Sequence, residues 1–307
     1  MFIYIVRRIL QAIPVMIGVS LAVFLMMHLI PGDPARIIAG EAADPHQVEQ
    51  MRINLGLHYP LPVQYWNFIT RAIQGDLGTS VRTSIPVVEE IFDARFFITF
   101  QLALVGLGAA VIIGLLIGVI SAVHRFRIPD MLLMIVALLG LSIPNFWLGL
   151  ILINFFAVQR GLLPITGWGT WQQMIMPMIV LGTGGCAVIA RMTRASLVDV
   201  FTQDYIRTAY AKGVNDRVVL YRHALRNALI PVVTVVGLQF GGLLAGAAIT
   251  ETIFAINGMG RLMIQAIATR DFPVAQGAIL IISLTFVIVN MLVDISYRLI
   301  NRRIDFD

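Results

Sequence analysis

A lysine next to a glycine is the first pair to test for phosphate chemistry, and this chain has only one lysine. Lys212 stands in Ala211-Lys212-Gly213, without the upstream glycine or the following Ser/Thr that a phosphate-cradling P-loop requires. The chain is therefore not a P-loop ATPase. It contains no H-E-x-x-H, G-x-S-x-G or C-x-x-C, so intramembrane hydrolase chemistry lacks support. His28, His46, His58, His124 and His223 are scattered and read as boundary or surface residues. Cys186 is alone in an apolar run, which excludes a disulfide framework and a Cys-rich metal site. No catalytic residue and no metal ligand set emerges.

The remaining polar groups of interest lie inside apolar stretches: Gln101, Asn145, Asn154, Gln239 and Asn290, with Glu251 and Asp294 near stretch ends. An ion-coupled carrier places ionisable residues near the bilayer midplane, because that is where they bind the coupling ion. None is central here, although a secondary carrier stays open as an alternative. Pro144, just after Ser142, is placed to kink the third stretch. Ser142, Asn145, Gln239 and Glu251 are the candidate lining of a substrate path.

Those groups are positioned by a membrane fold. Of 307 residues 58% are hydrophobic and 13% charged, with a mean hydropathy of +0.86. Soluble proteins carry about a quarter charged residues. So little polar surface cannot cover a water-soluble fold, and the bilayer must be the solvent. A spanning helix needs roughly 20 apolar residues for a core of about 30 Å. Six stretches qualify: Ile9–Ile30, Ile98–Val123, Met131–Val158, Met174–Ala190, Leu229–Ile249 and Gly277–Val293. The fourth, as short as the sixth, carries no charge. The first is too long for a signal-peptide core and reads as a retained span. The expected fold is an all-α, polytopic membrane protein with six transmembrane helices.

The net charge of +5 is carried by arginines at the ends of apolar runs, which sets orientation rather than nucleic-acid binding. With the N-terminus inside, short internal segments hold Arg7, Arg8, Arg125, Arg127, Arg298, Arg302 and Arg303. The loop between spans four and five adds Arg191, Arg194, Arg207, Lys212, Arg217, Arg222 and Arg226. The short external loops hold Arg160, Arg261 and Arg270, so both termini are expected in the cytoplasm. Gly114/Gly118, Gly237/Gly241 and Gly242/Gly246 are spaced for close helix approach.

Two segments lie outside the membrane, and three regions follow: 1–97 with the first span and an external loop, 98–298 with five spans, and a cytoplasmic tail 299–307. In the external loop, Pro31-Gly32-Asp33-Pro34 makes a turn, Asp44-Pro45 starts a helix and Gly56 stops it. A second helix from Pro62 to near Gly75 carries Tyr65, Trp66, Phe68 and Ile69 on one side. It reads either as a membrane-surface helix or as a cap over the outer mouth. In the internal segment 191–228, Asp204 caps a short helix from Tyr205 that Gly213 closes in the left-handed conformation. Asn215 or Asp216 caps a second helix through Arg226, before Pro231 opens span five. Tyr205, Ile206 and Ala209 form an apolar stripe, with Arg207 and Lys212 elsewhere. Such a helix suits a groove on a partner, or rests on lipid headgroups.

The run from Asp204 through Tyr205, Ile206, Arg207, Thr208, Ala209, Tyr210 and Ala211 to Lys212-Gly213, followed by His223-Ala224-Leu225-Arg226-Asn227-Ala228-Leu229-Ile230-Pro231, closely resembles the "EAA" loop of ABC importer permeases. The form is that of the dipeptide, oligopeptide and nickel group. Arg207-Thr208-Ala209 occupy the Glu-Ala-Ala places, a replacement usual in the peptide subgroup, and Gly213 falls at the family's glycine. Pro31-Gly32-Asp33-Pro34, Leu55-Gly56-Leu57, Gly75-Asp76-Leu77-Gly78 with Ser80, and Pro86-Val87 resemble the external region of the first permease of such systems. Gly140-Leu141-Ser142-Ile143-Pro144, Gly258-Met259-Gly260-Arg261 and Arg270-Asp271-Phe272-Pro273 are similar to that group as well.

The resemblance implies a type I importer permease that carries no nucleotide itself. A second homologous permease would share the path, two ATPase subunits would hold ATP and Mg²⁺, and an extracytoplasmic substrate-binding protein would dock outside. Asp204, Tyr205, Ile206, Arg207, Thr208, Ala209, Lys212 and Gly213 would couple the chain to an ATPase subunit. The location implied is the bacterial inner membrane, with lipid as the other partner and no nucleic acid. The expected cargo is a peptide (dipeptide, oligopeptide or glutathione), with nickel or another small solute as the alternative.

Overall fold

The computed structural model describes residues 2–29, 33–40 and 43–300. The Pro31-Gly32 turn and Arg302 and Arg303 of the tail lie outside the described residues, as does the side chain of Asp294. Fourteen α-helices follow one another among the described residues: α1 (Phe2–Leu29), α2 (Pro34–Ala39), α3 (Pro45–Asn54), α4 (Leu61–Ile73), α5 (Val87–Phe92), α6 (Arg95–Val123), α7 (Ile128–Ser142), α8 (Asn145–Leu152), α9 (Trp171–Phe201), α10 (Asp204–Ala211), α11 (Asp216–Val218), α12 (Leu225–Ile253), α13 (Met259–Ala268) and α14 (Phe272–Ile300). Two π-helical turns, Ile153–Val158 and Val219–Ala224, interrupt this order. The chain forms two compact units, one of residues 1–97 with 258–287 and one of 98–257 with 288–307. Residues 258–287 thus pack with residues 1–97.

In the first unit, turn chemistry fixes the small helices. Asp44 and Gln47 form a reciprocal capping box at the start of α3, and Gly56 after it is left-handed. Asp33 caps α2 and also takes Arg52 at 2.6 Å, tying α2 to α3. Tyr65 of α4 meets Ser20 of α1 at 2.9 Å and stacks with Phe68 around Phe24. Trp66 does not share that face; it is 66% exposed. The core joins Val87 and Ile91 of α5 to Met259, Leu262 and Ala266 of α13 and Val274, Ala275 and Ala278 of α14. Gly277 is required there, since a Cβ would lie 2.5 Å from Val87.

In the second unit, glycines let α6 lie against α9. A Cβ on Gly118 would sit 2.6 Å from Thr193, and one on Gly114 2.9 Å from the Cys186 carbonyl and Ile189. Gly237 does the same for Val293 of α14, whereas Gly242 and Gly246 meet nothing within 4 Å. Phe100 packs edge-on to Phe240, and Gln101 accepts from the Trp168 indole N–H. Asp130 at the start of α7 is buried. It accepts both Nε and Nη2 of Arg194 at 2.6 Å, the Ser121 hydroxyl, and the Phe126 N–H at 2.9 Å.

Among the described residues, five helical segments are long and apolar enough to cross a membrane: 6–26, 87–123, 171–201, 216–244 and 272–293. The third expected span, Met131–Val158, is not one rod. It breaks between Ser142 and Asn145, and the two halves are bent by 100°. Pro144 explains the position, because it removes an N–H and forces Ile143 into an extended conformation (ψ 122°). The fourth span, expected to be short, is part of the longest α-helix among the described residues, which runs on through Arg191 and Arg194 to Phe201. Pro231 does not open the fifth span either; it lies inside α12.

Candidate functional site

The segment singled out by its sequence folds as a compact unit between α9 and α12. Gln203, not Asp204, is the extended residue before α10, and Asp204 is its first helical residue. The carboxylate stays useful there, since negative charge is favoured in a first helical turn. At the other end the Val214 N–H reaches the Ala209 carbonyl and the Gly213 N–H reaches Tyr210. This is a Schellman ending, and it demands the left-handed Gly213, whose φ is +76°. Asn215 then caps α11 by accepting the Arg217 N–H at 3.0 Å.

The apolar stripe behaves differently from its expected role. Ile206 and Ala209 are buried in this chain's own cluster with Ala122, Leu197, Val219, Ala224 and Ala228. They anchor α10 to the ends of α6, α9 and α12, so a partner cannot reach them. Tyr205 is half-exposed, and its hydroxyl accepts from the Asn227 amide at 2.9 Å. Ser196 bonds the Ala228 carbonyl at 2.9 Å, closing the α9–α12 side. The face left to the outside comprises Tyr205, Arg207, Thr208, Tyr210 and Lys212, flanked by Tyr221. Arg207 and Asp204 make only an exposed 3.7 Å pair. Tyr210 and Tyr221 are absent from the expected contact set. The pattern that could have found them is a large aromatic on the polar side of a helix whose other side is small and aliphatic.

The four candidate path residues do not form one site. Ser142 and Asn145 are exposed on either side of the 100° break, the Ser142 hydroxyl bonding the Leu138 carbonyl at 3.0 Å. Gln239 faces Gly185 of α9. Glu251 is fully buried and accepts the Thr99 hydroxyl at 2.5 Å, holding α12 to α6 rather than lining an open path. Twelve residues of helix separate Gln239 from Glu251, about 18 Å. Among the described residues no cluster of three or more His, Cys, Asp or Glu side chains could hold a metal ion.

The chain is similar to known proteins. The family described as "Binding-protein-dependent transport system inner membrane component" matches residues 114–306, and its N-terminal companion matches residues 1–103. The chain is 48% identical over 303 residues to the glutathione transport system permease protein GsiC of Pectobacterium atrosepticum, covering 99% of both chains. It is 47% identical, with the same coverage, to the protein of that name from Escherichia coli. Among solved structures, two forms of the inward-facing MetNI methionine ABC transporter share the fold at 20% and 19% identity. Their TM-scores are 0.55 and 0.57; 67% and 68% of this chain and 94% and 95% of theirs are covered. A P-loop-free chain of membrane-spanning helices, matched nearly end to end by these families, belongs to the binding-protein-dependent transport system inner membrane components, the non-catalytic permease subunits of bacterial ABC importers.

Proposed function

We propose that this chain is the first permease of an importer for glutathione or other small peptides, and that α10 is its contact with an ATPase subunit. The observation carrying the coupling role is the anchoring of α10. Its apolar side is locked onto α9 and α12, while its tyrosine-rich and charged side is free. A push on the free side cannot be absorbed by a hinge at Gln203 or Gly213, since both ends are hydrogen-bonded back into the unit. Displacement of α10 therefore moves α9 and α12 together. Extended identity to permeases named for glutathione supports the cargo.

A second, homologous permease completes the path in this reading. Two ATPase subunits hold ATP and Mg²⁺, and a binding protein delivers cargo on the side opposite α10. The arginine asymmetry supports cytoplasmic termini. ATP draws the motor subunits together, the motion shifts the two α10 helices, and the permease pair exchanges one open side for the other. Each ligand moves that equilibrium only through its different affinity for the two states.

A photo-reactive residue in place of Tyr210 should cross-link to the ATPase subunit in the assembled transporter, whereas one in place of the buried Ala209 should not. Uptake of labelled glutathione into vesicles should require ATP on the α10 side and the binding protein, with no ion gradient. Capture of lipid alone from Tyr210 would remove the coupling role. Transport of nickel but not of peptides would remove the cargo.

A further inference from the structure

Within the second unit, α7 and α9 part to leave a cleft of about 330 Å³ lined by Met134, Ala137, Leu138, Leu141, Ala187, Arg191 and Arg194. That is within the range of small-ligand pockets, roughly 300–1,000 Å³. Its walls are aliphatic, and both arginines sit at one end. Their situations differ. Arg194 is neutralised by two bonds to Asp130. Arg191, one turn away and exposed, has no acidic partner among the described residues.

The depth of Arg191 identifies what it meets. The 20 residues from Trp171 to Ala190 carry no charge and rise about 30 Å as helix, the thickness of the hydrocarbon core. With Trp171 at one boundary, an interfacial position favoured by its ring, Arg191 stands at the opposite headgroup layer. An unpaired guanidinium at that depth, heading an aliphatic cleft that descends into the membrane, is complementary to an anionic amphiphile.

We propose that this cleft holds one anionic phospholipid, its phosphate on Arg191 and one acyl chain along Met134, Leu138 and Leu141. Basic pockets between spanning helices recognise lipid headgroups by this combination of charge and depth. Guanidinium matches phosphate with two parallel hydrogen bonds, which lysine cannot do. The cleft would thereby fill the seam beside the Asp130–Arg194 pair and steady α7 on α9.

The test uses the assembled transporter in nanodiscs of phosphatidylcholine with or without phosphatidylglycerol, read by native mass spectrometry and thermal melting. Wild type should retain one phosphatidylglycerol per copy of this chain and melt higher when it is present. Arg191→Gln should lower retention roughly five- to tenfold, as loss of one basic contact to an anionic headgroup implies. Leu138→Trp, which fills the cleft and keeps the charge, should lower it too while the complex still assembles. Equal retention in Arg191→Gln and wild type would overturn the proposal. So would equal retention of phosphatidylcholine. Loss of assembly in Leu138→Trp would show that a protein subunit covers the cleft, and would overturn it as well.

Discussion

Substituting Asp130 by Asn keeps the side chain's size and removes its charge. Asp130 is 4% exposed and accepts from Ser121, from Phe126 and twice from Arg194. The amide leaves one acceptor oxygen and turns an NH₂ toward donors, so the guanidinium keeps its charge and loses its fork. Removing one partner of a buried pair costs about 3–5 kcal/mol. Arg194 is 27% exposed at its side chain, so water recovers part of this and the lower end, about 3 kcal/mol, is expected. That corresponds to roughly a hundredfold in the folding equilibrium, or a melting-point drop of about 5 °C for a chain of this length. Removing both charges as Asp130→Asn with Arg194→Gln should recover more than half of the loss, because an absent pair leaves no stranded ion. Melting of the purified transporter in detergent, followed by tryptophan fluorescence, gives the numbers. If Asp130→Asn melts with wild type, or if the double variant shows the simple sum of the single losses, the pair does not hold α7 to α9.

Gly213→Val should lower uptake and substrate-stimulated ATPase activity while membrane insertion persists. No atom lies within 4 Å of a Cβ there, so the cost is the left-handed backbone alone, about 1–2 kcal/mol. Gly118→Val should destabilise by about 1–3 kcal/mol through contact with Thr193 and the Ala190 carbonyl, whereas Gly108→Ala, which meets nothing within 4 Å, should melt like wild type. Asp271→Ala strands the Ser80 hydroxyl and the Val81 N–H, and should speed protease cleavage within 79–86 with a local loss of about 1–3 kcal/mol. The Asp76 carboxyl is held below its ordinary value by the Arg71 guanidinium and the Gly78 N–H. Its folded pKa is depressed, so its stabilisation is present above the usual carboxylate range and is lost as pH falls through the lowered value. Being half-exposed, the pair contributes at most about 1 kcal/mol. Hydrogen exchange at Gly78 on acidification, against Arg71→Gln at each pH, reads that loss.

Much of what shapes this chain is local and therefore legible in the order of its residues. The apolar runs dictate spanning helices because the bilayer leaves backbone groups no other partner. Asp44-Pro45, Gly56, Gly75 and Gly213 end or start helices through their own dihedral preferences, and all behave so in the fold. The spacing of Gly114 and Gly118 announces a close helix contact. It does not say that the neighbour is α9, which depends on which helix presents Ile189 and Thr193.

Sequence alone determined a helical membrane chain and located the short segment between Asp204 and Gly213 that sets it apart. Only the tertiary structure decided which side of that segment is available. Periodicity shows that Ile206 and Ala209 share a face but cannot say what covers it, and the covering atoms, Leu197 and Ala228, come from helices on either side. The same holds for Glu251, which reads as a path residue by position and proves to be sealed against Thr99. Local propensity fixes a helix and its ends, whereas burial is a sum over neighbours brought together from distant parts of the chain.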